Sequence, residues 1–234
     1  KKISIVLKPI LDEIEETTSS EVRSILFNVS NSLGTMLINK QNSTIKNLTE
    51  HEKIIVSRSG IRIGAKFFFM PNLLKKLPMQ LNALLWKVYY ESEEKKIYPL
   101  PKDGRVSFLS EIEMPDIYWS AIGYHCLNKF AVRVDVFERV FYLARQKIKY
   151  GPFIESSDMM NPIGCNSDQL KNILKFCGFE SLLLGDNKKI FFLKSKKQKQ
   201  IKKELTIHTI HKKKVIKIKN KKTTNKITIK NNKK

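Results

Sequence analysis

Glycine-rich phosphate loops, disulfide frameworks and membrane-spanning runs are all missing from this sequence of 234 residues. None of its nine glycines belongs to a GxxxxGK[ST] motif, which argues against an independent ATP site. Its three cysteines are odd in number and scattered, a pattern typical of thiols in a reducing cytoplasm. No apolar run reaches the roughly 18 residues of a membrane helix, and no signal-peptide pattern occurs. We therefore expect a cytoplasmic protein with no membrane partner.

The side chains that carry catalysis or bind metals are also few. His125 and Cys126 are adjacent, but no third member of a catalytic triad is visible. His208 and His211 have metal-like spacing, but they lie among lysines without a cysteine or a carboxylate pair. Cys165 and Cys177 are predicted to be core residues. We therefore predict no catalytic residue, no metal site and no cofactor in this chain.

Acidic residues are nearly missing from the C-terminal part. Residues 194–234 hold 17 lysines and one acid, Glu204, so this segment carries +16 of the total charge of +22. The segment has no aromatic residue, glycine or proline and cannot build a core, so we predict a disordered lysine-rich tail. Blocks of like charge commonly bind polyanions, and RNA or DNA is the expected partner, with Lys212, Lys213 and Lys214 as candidate contacts. The alternative is compositional drift in an AT-rich genome.

The first 150 residues are predicted to form a helical body with short strands, so the fold class is mainly α with a minor β part. Ser20 is expected to cap a helix that Gly34 ends, and Thr49 with Glu52 has the spacing of a capping box. A later helix places four apolar residues on one face: Leu81, Leu84, Leu85 and Val88.

Residues 59–76, "SGIRIGAKFFFMPNLLKK", combine basic and aromatic residues. Alternation over residues 61–67 predicts a half-buried strand with Arg62 and Lys66 on its open side. The three phenylalanines that follow abandon this alternation, which indicates that both sides of the chain are covered there. Arg62 and Lys66 are therefore candidate nucleic-acid contacts held by an aromatic anchor.

Asp135 and Glu138 have the spacing of another capping box. The helix that they are expected to open buries Phe137 and the apolar positions spaced with it. Arg139 and Arg145 fall on its outer face and are further candidate nucleic-acid contacts.

Residues 151–193 are predicted to form a separate winged helix-turn-helix-like module, because a short helix, a turn, a second helix and a hairpin follow in order. Lys171 and Lys175 lie on the outer face of the second helix, and Lys188 and Lys189 open the last strand. All four are candidate nucleic-acid contacts. Small modules of this kind also serve as protein-docking units, and that alternative stays open.

Four segments in order carry a resemblance to a known family: "SILFNVSNSLG", "GIRIGAKFFFMPNLLKKLPMQLNALLW", "AIGYHCLNKFAVRVDVFERV" and "MMNPIGCNSDQLKNILKFCGFE". Together they cover roughly residues 20–185. This order resembles the region that follows the motor in alphaproteobacterial superfamily 2 ATP-dependent helicases, which are similar to the mitochondrial degradosome RNA helicase. The resemblance implies an all-helical accessory region that helps to form a nucleic-acid channel behind two RecA-like domains.

This resemblance implies RNA as the ligand and places ATP and magnesium in the missing motor domains. No catalytic residue is carried over, so the segment has no active site of its own, although it would belong to an enzyme. The chain begins with Lys1, which favours a C-terminal piece of a longer protein. An exonuclease or ribosomal components are the candidate protein partners. The alternatives are a stand-alone RNA- or DNA-binding protein and a protein-docking scaffold with a solubilising tail.

Overall fold

The computed structural model describes residues 2–38, 48–90, 98–102, 104–183 and 188–193. About 54% of these residues are helical and 17% lie in strands, so the mainly helical fold class is confirmed. The α-helices are α1 (Lys2–Glu16), α2 (Ser20–Asn31), α3 (Glu50–Arg58), α4 (Lys76–Tyr90), α5 (Asp116–Ala121), α6 (Val134–Lys147), α7 (Ser157–Met160) and α8 (Ser167–Cys177). Short 3-10 helices span Pro71–Leu74 and Ile148–Tyr150.

The strands form three antiparallel sheets of three strands each within the described residues. The first sheet has the order β1 (Thr35–Leu37), β3 (Phe67–Phe69), β2 (Arg62–Ile63). The second has the order β4 (Ser107–Leu109), β6 (Phe130–Arg133), β5 (Tyr124–Leu127). The third has the order β7 (Phe153–Ile154), β9 (Lys189–Phe192), β8 (Glu180–Leu183). The all-helical region implied by the family resemblance therefore differs from the fold observed here.

The predicted caps of α2 and α3 lie within one residue of the observed ones. The side chain of Ser19, not that of Ser20, accepts a hydrogen bond from the first turn of α2. Thr49 and Glu52 form the predicted capping box of α3. Each cap satisfies amide groups that the first turn of a helix leaves unpaired. Helices α1, α2 and α3 pack their apolar faces around one hydrophobic core.

The three consecutive phenylalanines of β3 join two cores. Because successive side chains of a strand point to opposite faces, Phe67 and Phe69 enter the core built on α6 and α8. Phe68 enters the core of the first three helices from the other face. All three side chains are buried, which confirms that both sides of the chain are covered at this point.

The prediction of a single strand over residues 61–67 is wrong. Arg62 and Ile63 pair with Phe69 and Phe68, so the chain reverses direction in a hairpin. Residues 64–66 form the turn, and the amide of Gly64 donates to the carbonyl of Phe67 at 2.8 Å. A long-range contact from α6, described below, holds this turn in place.

Helix α4 turns its predicted apolar face largely outward. Leu84, Leu85 and Val88 are 54%, 47% and 68% exposed, whereas Met79 and Ala83 are buried on the opposite side. This buried side packs against α5 and the second sheet in a third hydrophobic core. The helix therefore has two apolar faces, and spacing alone did not distinguish them. No helix in the described residues has both the length and the apolar character that a bilayer crossing requires.

The capping box predicted at Asp135 and Glu138 is absent. Arg133 occupies the N-cap position of α6, and Asp135 accepts hydrogen bonds from the amide of Val136 and from the Arg133 guanidinium. Glu138 makes its contacts outside α6. The buried face of the helix is as predicted, with Phe137, Val140, Phe141 and Ala144 in the core.

The last described segment contains the predicted helices and hairpin. Asn166 and Gln169 form a capping box at α8, which ends at Gly178 in a left-handed conformation. Strands β8 and β9 pair in antiparallel register, and β7 adds a third strand on the other side of β9. The core of this segment also contains Phe67, Phe69 and the buried face of α6, and residues 1–192 form one compact unit. The predicted tail, residues 194–234, lies outside the described residues.

Candidate nucleic-acid interface

An open groove runs between α6 and the turn that joins β2 to β3. Its volume is about 480 Å³. Arg62 comes from β2, and Arg139, Tyr142 and Arg145 come from α6. We call this depression the arginine groove. It brings together three of the basic residues that the sequence predicts as nucleic-acid contacts.

The carboxylate of Glu138 joins the two walls of the arginine groove. It accepts backbone hydrogen bonds from Ala65 at 2.9 Å, from Lys66 at 2.6 Å and from Phe67 at 2.8 Å. Three amide donors of the turn are thus satisfied by one ionised side chain that lies more than 70 positions further along the chain. This contact fixes the hairpin, and with it Arg62, against α6.

Glycine is required at position 64 because of this close approach. A Cβ atom there would lie 2.5 Å from the Glu138 carboxyl carbon and 2.6 Å from the Phe67 carbonyl oxygen. Both distances are far shorter than real Cβ contacts, and neither neighbour could move without breaking the turn. The reason for glycine is thus the contact with Glu138.

One side of α6 presents a tyrosine between two arginines. Arg139, Tyr142 and Arg145 are spaced three residues apart, which keeps them on neighbouring positions of the helix surface. The Tyr142 side chain is 61% exposed. The Arg145 guanidinium carbon lies 5.9 Å from the centre of the Phe141 ring, within the range of a cation–π contact. An exposed aromatic ring beside two cations is suited to stacking a base while phosphates are neutralised.

The two acidic residues of the arginine groove already have partners. Asp135 accepts two hydrogen bonds from the Arg133 guanidinium, at 2.7 and 2.9 Å. Glu138 is occupied by the three amides of the turn. None of Arg62, Arg139 and Arg145 forms an ion pair within the part of the chain that the structure describes. The groove can therefore accept an anion without breaking an existing ion pair of its arginines.

Lys66 does not line this groove. Its ammonium group donates to the carbonyl oxygen of Phe176 at 3.3 Å, near the C-terminus of α8. It also lies 5.2 Å from the centre of the Phe176 ring and 5.6 Å from that of Phe141. A cation is favourable at a helix C-terminus, so Lys66 has an intramolecular role between α6 and α8. Its predicted contact with a nucleic acid stays a prediction.

The other predicted lysines differ in their surroundings. Lys171 and Lys175 are exposed on α8, and Lys188 is exposed before β9. The ammonium of Lys189 lies 2.6 Å from the Asp168 carboxylate, and its side chain is only 11% exposed. This hydrogen bond lowers the pKa of Asp168, so Lys189 is engaged within the protein. Lys212, Lys213 and Lys214 lie outside the described residues.

The described residues contain no cluster of three or more histidine, cysteine or acidic side chains that could hold a metal ion. His125 and Cys126 lie on opposite faces of β5: His125 packs in the core with Phe67 and Phe137, whereas Cys126 packs against the third core. Burial raises the pKa of the Cys165 thiol to about 11 and that of Cys177 to about 12. A neutral thiol is a poor nucleophile at neutral pH, which argues against catalysis by either cysteine.

Sequence reasoning missed Tyr142 and the role of Glu138. The spacing of Tyr142 from Arg139 and Arg145 could have identified it, since all three belong to the outer side of one predicted helix. No local signal identifies Glu138, because its partners lie in a distant turn. The chain matches no protein-family model, and comparisons with curated proteins and with solved structures likewise give no match.

Proposed function

We propose that the chain binds single-stranded RNA through sequence-independent phosphate contacts, as the C-terminal region of an ATP-dependent helicase. The observation that carries the binding function is the arginine groove, in which three arginines and an exposed tyrosine surround one depression. Positively charged grooves with exposed aromatic rings bind single strands of any sequence, because every base has a face that can stack. The helicase context is supported by the order of the four resembling segments, and ATP would be hydrolysed by motor domains outside this sequence.

The segment from α7 to β9 supplies a second basic surface in this proposal. A short helix, a longer helix and a hairpin follow in the order of a winged helix-turn-helix module. Lys171 and Lys175 on α8 and Lys188 before β9 would contact phosphates. The tail would add further contacts that depend on charge alone.

Charge reversal in the arginine groove tests the proposal. The variant Arg139→Glu/Arg145→Glu should lower the affinity for single-stranded RNA at least about tenfold, because it replaces two phosphate contacts with repulsion. The slope of log affinity against log salt should become shallower by about 1.4, since each contact with a single strand contributes about 0.7. Fluorescence anisotropy with a labelled homopolymer at several salt concentrations measures both quantities.

The matched control is Lys8→Glu/Lys129→Glu, which changes the net charge by the same amount at two exposed residues outside the groove. This control should bind RNA nearly as well as the unaltered chain. An equal loss in both variants would mean that net charge alone governs binding, and would contradict a role for the groove. Full RNA binding by the groove variant would likewise contradict a role for the groove.

The exposed face of α4 favours one alternative, a protein-docking scaffold. Leu84, Leu85 and Val88 form an outward apolar stripe that a partner helix could cover. In that case the groove variant would bind RNA normally, while replacement of these residues by polar ones would abolish partner binding.

A further inference from the structure

A second basic groove, about 340 Å³ in volume, lies at the start of α4. Lys75 and Lys76 contribute from that side, and Lys102 and Arg105 contribute from the segment before β4. Arg133 and Asp135 complete its charged lining. We call this depression the lysine groove. None of these basic residues is singled out by sequence pattern, because they come from three separate parts of the chain.

Basic side chains outnumber acidic ones among the described lining residues of the lysine groove. Asp135 is the one acid among its described lining residues, and its carboxylate is bound to Arg133. Lys75, Lys102 and Arg105 form no ion pair within the described ranges and are exposed to solvent. Like charges that line one depression repel each other, and a bound anion would relieve the repulsion.

Internal contacts hold the walls of the lysine groove. The buried Tyr124 hydroxyl donates to the carbonyl oxygen of Arg105 at 2.6 Å. The Arg105 amide donates to the carbonyl of Lys102 at 3.1 Å and closes a turn. Gly123 lets β5 approach the Pro71–Leu74 helix, because a Cβ there would lie 2.1 Å from a Leu74 methyl group. Lys102 and Arg105 therefore belong to a turn whose backbone is anchored to the second sheet through Tyr124.

The lysine groove and the arginine groove share a lining residue, Asp135. The two depressions adjoin at Asp135, so a chain-like polyanion could pass from one to the other at this point. A small anion would have no need of this continuity, whereas a flexible single strand could use both depressions. The sharing of Asp135 therefore favours a single strand as the occupant of both grooves.

We propose that the lysine groove binds the phosphodiester backbone of the single strand whose neighbouring nucleotides occupy the arginine groove. The Arg133–Asp135 ion pair marks the point at which the strand passes from one groove to the other. This inference rests on the proposed RNA-binding function and extends it by naming a second site and the continuous path of the ligand.

The proposal predicts a dependence on RNA length. Oligonucleotides of about 4 and about 16 nucleotides represent the range of single-strand site sizes. The variant Lys102→Glu/Arg105→Glu should bind the longer oligonucleotide at least about fivefold more weakly, with a salt slope shallower by about 1.4. Its affinity for the shorter one, which the arginine groove can hold alone, should be unchanged. The chain with residues 1–234 is used throughout, with Lys8→Glu/Lys129→Glu as the charge-matched control.

The outcomes separate this inference from the proposed function. One outcome is that Lys102→Glu/Arg105→Glu binds both oligonucleotides normally while Arg139→Glu/Arg145→Glu loses affinity for both. The lysine groove is then not a binding site, and the proposed function stands. If the lysine-groove variant loses affinity for both oligonucleotides equally, the lysine groove does not extend the binding site of the arginine groove and the inference is overturned. If the arginine-groove variant binds normally, the proposed function itself fails. The neutral variant Lys102→Gln/Arg105→Gln should show the same length dependence in weaker form, and thermal unfolding checks that each variant folds.

Discussion

His125 is a buried titratable residue that packs against the rings of Phe67, Phe137 and Phe176. Its ring lies 4.4 Å from that of Phe176 and 5.4 Å from that of Phe67. Its Nε2 atom has no hydrogen-bond partner among the described residues. Burial is the largest cause that lowers the pKa of His125, to about 4, and the Lys66 ammonium contributes in the same direction. The folded protein therefore holds this histidine in its neutral form.

This histidine predicts a pH dependence of stability. In the unfolded chain the imidazole regains a pKa of about 6.5, so between pH 6.5 and pH 4 the unfolded state binds more protons than the folded one. The free energy of unfolding should therefore fall as the pH drops through this window, by at most on the order of 3 kcal/mol, and should be unaffected by this group above it. Urea unfolding at several pH values measures the slope.

The variant His125→Phe keeps an aromatic ring but cannot be protonated. Its stability should decline less steeply than that of the unaltered chain over the same window, whatever its absolute stability. Identical slopes would mean that His125 is not a neutral buried group. Comparison of slopes removes the contributions of acidic groups that titrate in both proteins.

At the scale of secondary-structure elements, the hairpin of β2 and β3 depends on α6, which lies far along the chain. The amides of residues 65–67 donate to the Glu138 carboxylate of α6 rather than to a neighbouring strand. Hydrogen bonds to charged groups stabilise more than neutral ones, and unpaired buried amides are costly. Glu138 thus fixes both the turn and the position of Arg62.

Replacement of Glu138 by glutamine should destabilise the protein by about 2 kcal/mol, because a neutral amide offers one acceptor oxygen and places an NH2 group against the backbone donors. Chemical denaturation measures the loss. Glu15→Gln, at an exposed position of α1, is the matched control and should leave the stability unchanged within about 0.5 kcal/mol. Equal effects of the two substitutions would contradict the role assigned to Glu138.

The same hairpin explains how far the sequence could predict the elements. The capping box at α3, the hairpin of β8 and β9 and the buried face of α6 depend on neighbours within a few residues, and all were predicted. The turn at residues 64–66 depends on Glu138, more than 70 residues away, so the alternation over 61–67 indicated a continuous strand. Helix α4 has apolar residues on two faces, and only its tertiary packing determines which one is buried. The three arginines of the arginine groove were predicted as nucleic-acid contacts. That they line one depression was not predicted, because the contacts that bring them together are long-range.

At the scale of the whole molecule, the charge is divided unequally. Residues 1–193 carry +6, and the tail carries +16. In the body, Glu138 is occupied by backbone amides and Asp135 by Arg133, so the three arginines of the arginine groove keep no ion pair among the described residues. On the proposed function, the two grooves would provide a path with defined positions for phosphates, whereas a lysine-rich segment without core-forming residues would contribute charge without requiring a defined geometry. The two parts should therefore respond differently to salt and to changes of sequence order.

Deletion of residues 194–234 tests this division, because it removes most of the charge and no described helix or strand. RNA affinity should fall more than tenfold at about 50 mM salt, and the loss should narrow towards about 200 mM, because counterion release by the tail contributes most at low salt. A chain whose tail has the same composition in scrambled order is the matched control and should bind like the unaltered chain. Unchanged affinity after the deletion would contradict any role for the tail, and loss on scrambling would mean that its residue order matters. When the deletion is combined with Arg139→Glu/Arg145→Glu, the two losses in binding free energy should add, because the grooves and the tail contact different phosphates of one strand.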